Sequence, residues 1–170
     1  MKYTFIIALI FTVATSLNAQ TLEKVKDRTG RTMLKGFVSD SLLATDTTNF
    51  AWFKEQAAPY EPAEKIIKSF SNKKDSVAFF AFFGTWCPDS HYVIPRFFKI
   101  IDKAGLNKKQ VSLFALDRTK KDANHFAENF NISHVPTIIV LKNGKETGRV
   151  VEYGPSGRFD EELAAILDAL

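Results

Sequence analysis

Apolar positions run along this chain in two rhythms. Val77–Phe83 is a continuous apolar run bounded by the polar stretch 71–75 and by Gly84, the pattern of a strand covered on both faces. Residues 111–116 and 137–141 repeat that pattern, and Asn143-Gly144 predicts a tight hairpin into a further strand over about 147–152. Elsewhere the spacing is helical. Phe50, Trp52 and Phe53 open a helix that Pro59 and Pro62 break, and Ile66, Ile67 and Phe70 mark a second. A third follows Cys87-Pro88 and stops at Ala104-Gly105. Residues 121–130, with Phe126 and Phe130 on one side, predict another. Residues 159–170 close the chain, with Leu163, Ile166, Leu167 and Leu170 sharing a face.

Upstream the pattern weakens. Residues 21–32 are polar and predict a loose lead-in, and 33–38 a short edge strand, so 20–48 is expected to be an N-terminal lead-in and 49–170 one folded domain. The order of elements predicts an α/β fold with a central mixed sheet, helices on both faces and an N-terminal helical extension. The first residues belong to no fold. Lys2 supplies a positive start, residues 5–17 an apolar stretch, and Asn18-Ala19-Gln20 a small-residue cleavage point, the make-up of a signal peptide over 1–19. The apolar stretch is shorter than the roughly 20 residues of a spanning helix and carries Thr12, Thr15 and Ser16. Cleavage near Ala19, export to the periplasm or the exterior, and no stable membrane insertion are therefore expected.

Composition narrows the function. With 170 residues, 45% hydrophobic, the chain fills one core, and a monomer is expected. The 23 Lys and Arg are spread among 19 acidic residues without a long basic run, which argues against nucleic acid as a partner despite the net charge of +4. The sixteen Phe read as core. One Cys and three His show no zinc-ligand spacing, His125 beside Phe126 and Glu128 reads as structural, and no cofactor is called for. A single Cys in an exported protein cannot make an internal disulfide, so it demands its own explanation.

That residue, Cys87, follows a buried strand and opens a helix. Unpaired N–H groups and the helix dipole favour a thiolate there, and Pro88 suits the first helical turn. Ser90, three residues on, is placed to donate to the sulfur, and His91, one turn on, assists if protonated. Taken alone, a lone Cys reads equally as a small buried hydrophobe, with Ser90 and His91 as helix surface.

The surrounding residues resemble a known family. Trp86-Cys87-Pro88-Asp89-Ser90 resembles the Trp-Cys-x-x-Cys segment of the thioredoxin superfamily, with Ser in the second cysteine position, and Pro95 matches the proline that kinks the active-site helix. Asn131-Ile132-Ser133-His134-Val135-Pro136-Thr137 and the hairpin at Asn143-Gly144 are similar to the superfamily's cis-proline segment. The resemblance covers about 76–170 and implies a thioredoxin-like fold. It implies a cis-Pro136 facing Cys87, a Val135 backbone that pairs with an extended substrate, and a substrate site bordered by Trp86, Pro88 and His134. Gly154 resembles the glycine that completes the substrate groove. As a loop residue, His134 reads also as simply solvated.

Two departures limit the resemblance. The chain has no resolving cysteine, so ordinary dithiol turnover is excluded for it alone. Ala81 stands where the superfamily has a buried aspartate, leaving His91, His134 or water as proton acceptor. The implied function is thiol:disulfide exchange with Cys87 as nucleophile, a protein disulfide or low-molecular-weight thiol as partner, and an external thiol resolving the adduct. The alternatives are a non-catalytic polypeptide-binding or chaperone-like module, and a relay member that serves as substrate of an exported oxidoreductase.

Overall fold

The longest apolar run lies at the middle of a sheet. The computed structural model describes residues 22–122 and 124–170, and the signal segment expected from the sequence lies outside them. Among the described residues the strands are β1 (Leu22–Lys26), β2 (Thr32–Val38), β3 (Val77–Phe83), β4 (Val111–Ala115), β5 (Thr137–Lys142) and β6 (Lys145–Val151). They form one sheet in the order β1-β2-β4-β3-β5-β6, with β3 and β4 parallel and the other neighbours antiparallel. The helices are α1 (Asp40–Thr45), α2 (Thr47–Phe50), α3 (Trp52–Ala57), α4 (Glu64–Ser71), α5 (Pro88–Lys103), α6 (Phe126–Asn129) and α7 (Phe159–Asp168).

Side chains alternate across β3, and each set anchors a different core. Phe79, Ala81 and Phe83 face a large core shared with Leu43 of α1, Phe53 of α3, Phe70 of α4, Phe97 of α5 and Leu163 of α7. Phe82 faces a smaller core with Phe114, Ile139, Leu116, Val135 and Cys87 itself. The two faces are covered unequally. Six helices pack on the first, whereas the second has only the single turn of α6 and its flanking segments, supported by rings in contact: Phe114 meets Phe37, Phe80, Phe82 and Phe126 at centroid distances of 5.0–5.8 Å.

Three expectations are corrected. The polar stretch before residue 32 is no loose lead-in, because β1 pairs with β2 from Leu22↔Gly36 to Lys26↔Thr32. Segment 33–38 is consequently an interior strand between β1 and β4. The signal was absent because β1 is the outer strand and is largely solvated, so Leu-Glu-Lys-Val-Lys carries no apolar stripe. The helix expected over 121–130 shrinks to α6. Buried Asp122 accepts from the N–H groups of Asn124 (2.6 Å) and Ala127 (2.7 Å), and His125 is left-handed at φ 58°, so the backbone enters the helix only at Phe126. The N-terminal extension is likewise three short helices, α1 to α3, with Ser39 capping the first through Leu42 N–H.

Phe79 is fully buried, stacked on Phe70 at 5.8 Å and edge-on to Phe97 at 5.3 Å. Phe79→Ala is expected to lower the unfolding free energy by about 3–5 kcal/mol in urea titration, with the m-value unchanged.

Candidate functional site

The residues between β3 and α5 form a loop pinned on all sides. Gly84 N–H donates to Ser90 Oγ (3.1 Å), and Cys87 N–H to Gly84 O (3.0 Å). Thr85 Oγ1 accepts from Leu34 N–H of β2 (3.1 Å), and Trp86 Nε1–H donates to Leu116 O just past β4 (2.9 Å). Glycine is required at 84, because a Cβ there would lie 2.7 Å from Trp86 Cε2. Cys87 then caps α5 in extended conformation with Pro88 in the first turn, so the sulfur leaves the sheet at the helix N-terminus.

Facing it is the loop before β5. The Val135–Pro136 peptide is cis, and Pro136 O accepts from Glu152 N–H (2.7 Å), which ties the loop to the end of β6. Cys87 Sγ donates to Val135 O at 3.3 Å. Among the described residues Val135 N–H has no hydrogen-bond acceptor. Cys87 is 6% exposed, and the loop covers its sulfur.

Two other expected roles are corrected. Ser90 is fully buried, and its hydroxyl oxygen is taken up by Gly84 N–H, so it braces the loop. His91 places Nε2 2.7 Å from Thr85 O, an atom that can only accept, so Nε2 carries the hydrogen. Its ring stacks on Trp52 of α3 at 4.2 Å and 14°. Burial pulls the His91 pKa below the usual value, against the opposing effect of the Thr85 bond and with help from the Arg31 charge. His91 is thus neutral at pH 7 and supplies no positive charge to the thiol.

The remaining predicted residues are spread around this centre. Pro88 is exposed at the start of α5 and Pro136 is buried in the loop. His134 is exposed, with Nδ1 3.0 Å from Ser133 Oγ and its carbonyl accepting from Thr137 Oγ1 (2.8 Å). Ala81 is fully buried in the large core. Gly154 has φ 73°, and a Cβ there would meet Glu162 Cγ at 2.6 Å, so a side chain at this position would be strained and would displace Glu162. Among the described residues no group of His, Cys, Asp or Glu side chains could hold a metal ion, and no helix is long and apolar enough to cross a membrane.

Sequence reasoning missed Thr85, Trp52 and Tyr153. Tyr153 donates to Asp89 Oδ1 (2.9 Å) on the first turn of α5 and lies edge-on to Tyr92 (5.5 Å). Burial, then the Asp89 bond, pushes its pKa up to about 12, so it remains a donor across the physiological range. The only local signal was its place directly before Gly154.

The family model described as Thioredoxin matches residues 62–168. The chain belongs to the thioredoxin family. Thioredoxin of Echinococcus granulosus is 31% identical over 85 residues, 50% of this chain and 74% of that protein. Chloroplastic Thioredoxin Y of Oryza sativa is 25% identical over 87 residues, and the match spans only about half of it, 49%. The crystal structure of oxidised thioredoxin O2 from Arabidopsis thaliana overlays with a TM-score of 0.40 and 20% identity, covering 61% of this chain and 84% of that one. Thioredoxin-family membership suggests thiol–disulfide oxidoreductase activity in general.

The neutral His91 makes a pH prediction. A folded-state pKa below the unfolded value of 6.5 means the unfolded chain binds more protons, so stability is full above that pH and declines as pH falls through the folded pKa. Between pH 7 and pH 5, chemical denaturation is expected to show a smaller loss of stability for His91→Gln than for the wild-type chain.

Proposed function

We propose that this thioredoxin-family protein carries out monothiol thiol:disulfide exchange, with Cys87 as nucleophile. The observation that carries the reading is the meeting of Cys87 Sγ with Val135 O at the cis-Pro136 loop, which sets the one thiol of the chain beside a backbone edge suited to an extended polypeptide. The unpaired Val135 N–H is the donor such a polypeptide would take up.

The chemistry follows from the single thiol. Cys87 loses its proton to water or solution base and attacks one sulfur of a partner disulfide. A Cys87–partner disulfide forms, and the other partner sulfur leaves as thiolate and is protonated. With no second cysteine, an external thiol attacks the mixed disulfide, frees Cys87 and remains joined to the partner sulfur; a further external thiol completes the reduction. Thioredoxin-family proteins act on protein disulfides and thiols, and both are proposed here: a protein disulfide as substrate and a low-molecular-weight thiol as resolver. The sequence of residues 1–19 supports export, so the reaction is placed in the periplasm or outside the cell.

A second reading has one observation in its favour. The sulfur is buried and its hydrogen engaged by Val135 O, which suits a non-catalytic module that holds extended polypeptide beside Pro136. Cys87→Ala would then leave partner binding intact.

Incubation with bis(hydroxyethyl) disulfide at pH 7 is expected to add one hydroxyethylthio group to the folded protein. Mercaptoethanol removes it, and Cys87→Ser acquires none. Intact-protein mass spectrometry reads both steps, and a native chain that stays unmodified sinks the exchange reading.

A further inference from the structure

Two turns far apart in the chain are built alike. Asp27-Arg28-Thr29-Gly30-Arg31 joins β1 to β2, and Asp117-Arg118-Thr119-Lys120-Lys121 follows β4. In the first, Asp27 Oδ1 accepts from Thr29 N–H (2.8 Å), Thr29 Oγ1 (2.6 Å) and Arg31 N–H (3.0 Å). In the second, Asp117 Oδ1 accepts from Thr119 N–H (2.8 Å), Thr119 Oγ1 (2.6 Å) and Lys121 N–H (3.1 Å). Each closes with Asp N–H donating to the carbonyl four residues on, at 2.9 and 3.0 Å, and each has a left-handed fourth residue, Gly30 and Lys120.

The shared design separates the charges. Both aspartates point into their own turns. The Asp27 side chain is 4% exposed and pairs with Arg31 (3.4 Å) and, across the gap, with Arg118 (3.5 Å). The Thr29 hydroxyl and the turn N–H groups hold its carboxyl well below the usual range. Asp117 is occupied by Lys35 at 3.3 Å. Arg28, Arg31, Arg118 and Lys121 are exposed, and five basic side chains stand against two acidic ones in these ten residues. That leaves a local charge of +3, most of the chain's +4. Glu23, opposite Lys35 on β1, is the nearest acidic residue along the strand.

Between the turns lies an open groove of about 680 Å³ with Met33 among its walls. One wall of it touches the candidate site: the Arg118 guanidinium lies over the ring of Trp86, the residue next to Cys87, at 4.9 Å, and Lys120 Nζ lies over the same ring at 5.9 Å. We infer that the groove between the two Asp-Arg-Thr turns docks an acidic segment of the polypeptide whose disulfide reaches Cys87. The inference rests on the exchange reading and names its substrate class: a partner with carboxylates close to its disulfide. Clustered charge of one sign beside a reactive group accelerates encounter with the opposite charge and discourages like charge.

The test uses three peptides, acidic, basic and uncharged, each joined through its one cysteine to thionitrobenzoate, whose release is followed by absorbance. With the native protein in low salt the acidic peptide is expected to react about tenfold faster than the basic one. In about 0.5 M NaCl the ratio should fall towards one. Lys26→Glu with Arg28→Glu, two cations of the groove wall, is expected to invert the ratio, and a ratio is insensitive to any general loss of reactivity. Equal rates for the two charged peptides with the native protein overturn the inference. Should even the uncharged peptide fail to react, the exchange reading falls instead. Docking is then decided by anisotropy of labelled acidic and basic peptides on Cys87→Ser, where equal binding overturns it and a salt-sensitive acidic preference supports it.

Discussion

The position of Cys87 depends on how the three residues before it are held. Gly84, Thr85 and Trp86 are fastened by four contacts to three parts of the molecule: to Ser90 and His91 of α5, to Leu34 of β2 and to Leu116 beyond β4. A buried polar contact of this kind is worth little net while made and is costly to leave unmade, so the four act together as a constraint on geometry more than as a source of stability. The sulfur is thereby delivered to Val135 O without a side-chain partner of its own. Every role that the site can play starts from that delivery.

The N-terminal segment belongs to this constraint. Leu34 comes from β2, and Trp52, which stacks on His91, comes from α3. The family match begins only at residue 62, yet the walls of the site include residues well before it. A cavity of about 300 Å³ between the β1–β2 turn, Trp52 and His91 lies on this same seam. What sets this chain apart from a bare family domain is that its extension braces the reactive loop.

How much was legible follows from where the information lies. Strands β3, β4 and β5 are apolar on both faces, so their runs stood out, and the Asn143-Gly144 hairpin carries its own turn chemistry. The site motifs around Cys87 and Pro136 were readable because their spacing is local. Strand β1 was invisible, because an outer strand needs no buried stripe. Ser90 and His91 were given roles toward the sulfur because both lie on the first turn of α5. Their true partners, Gly84 N–H and Thr85 O, are backbone atoms of a loop whose path the sequence does not state. The burial of Cys87 is likewise a tertiary fact, set by a loop 48 residues further on. The twin Asp-Arg-Thr strings could be seen in the letters, but their proximity comes only from the placing of β1, β2 and β4 side by side.

The unequal covering of the sheet has a consequence for how the molecule breathes. Six helices clamp one face, while the other is closed by a single helical turn and the coil on either side of it. Opening costs least where the least apolar surface is covered, so the region over Phe80 and Phe114 is expected to open before the helical side does. Val135 belongs to that smaller core and Cys87 to both it and the helix start. Partial detachment there would uncover the sulfur and loosen Trp86, whose Nε1–H bonds Leu116 O of the same core, while the contacts of Gly84 and Thr85 with Ser90, His91 and Leu34 stay in place, and amide exchange on the two sides of the sheet is expected to differ accordingly.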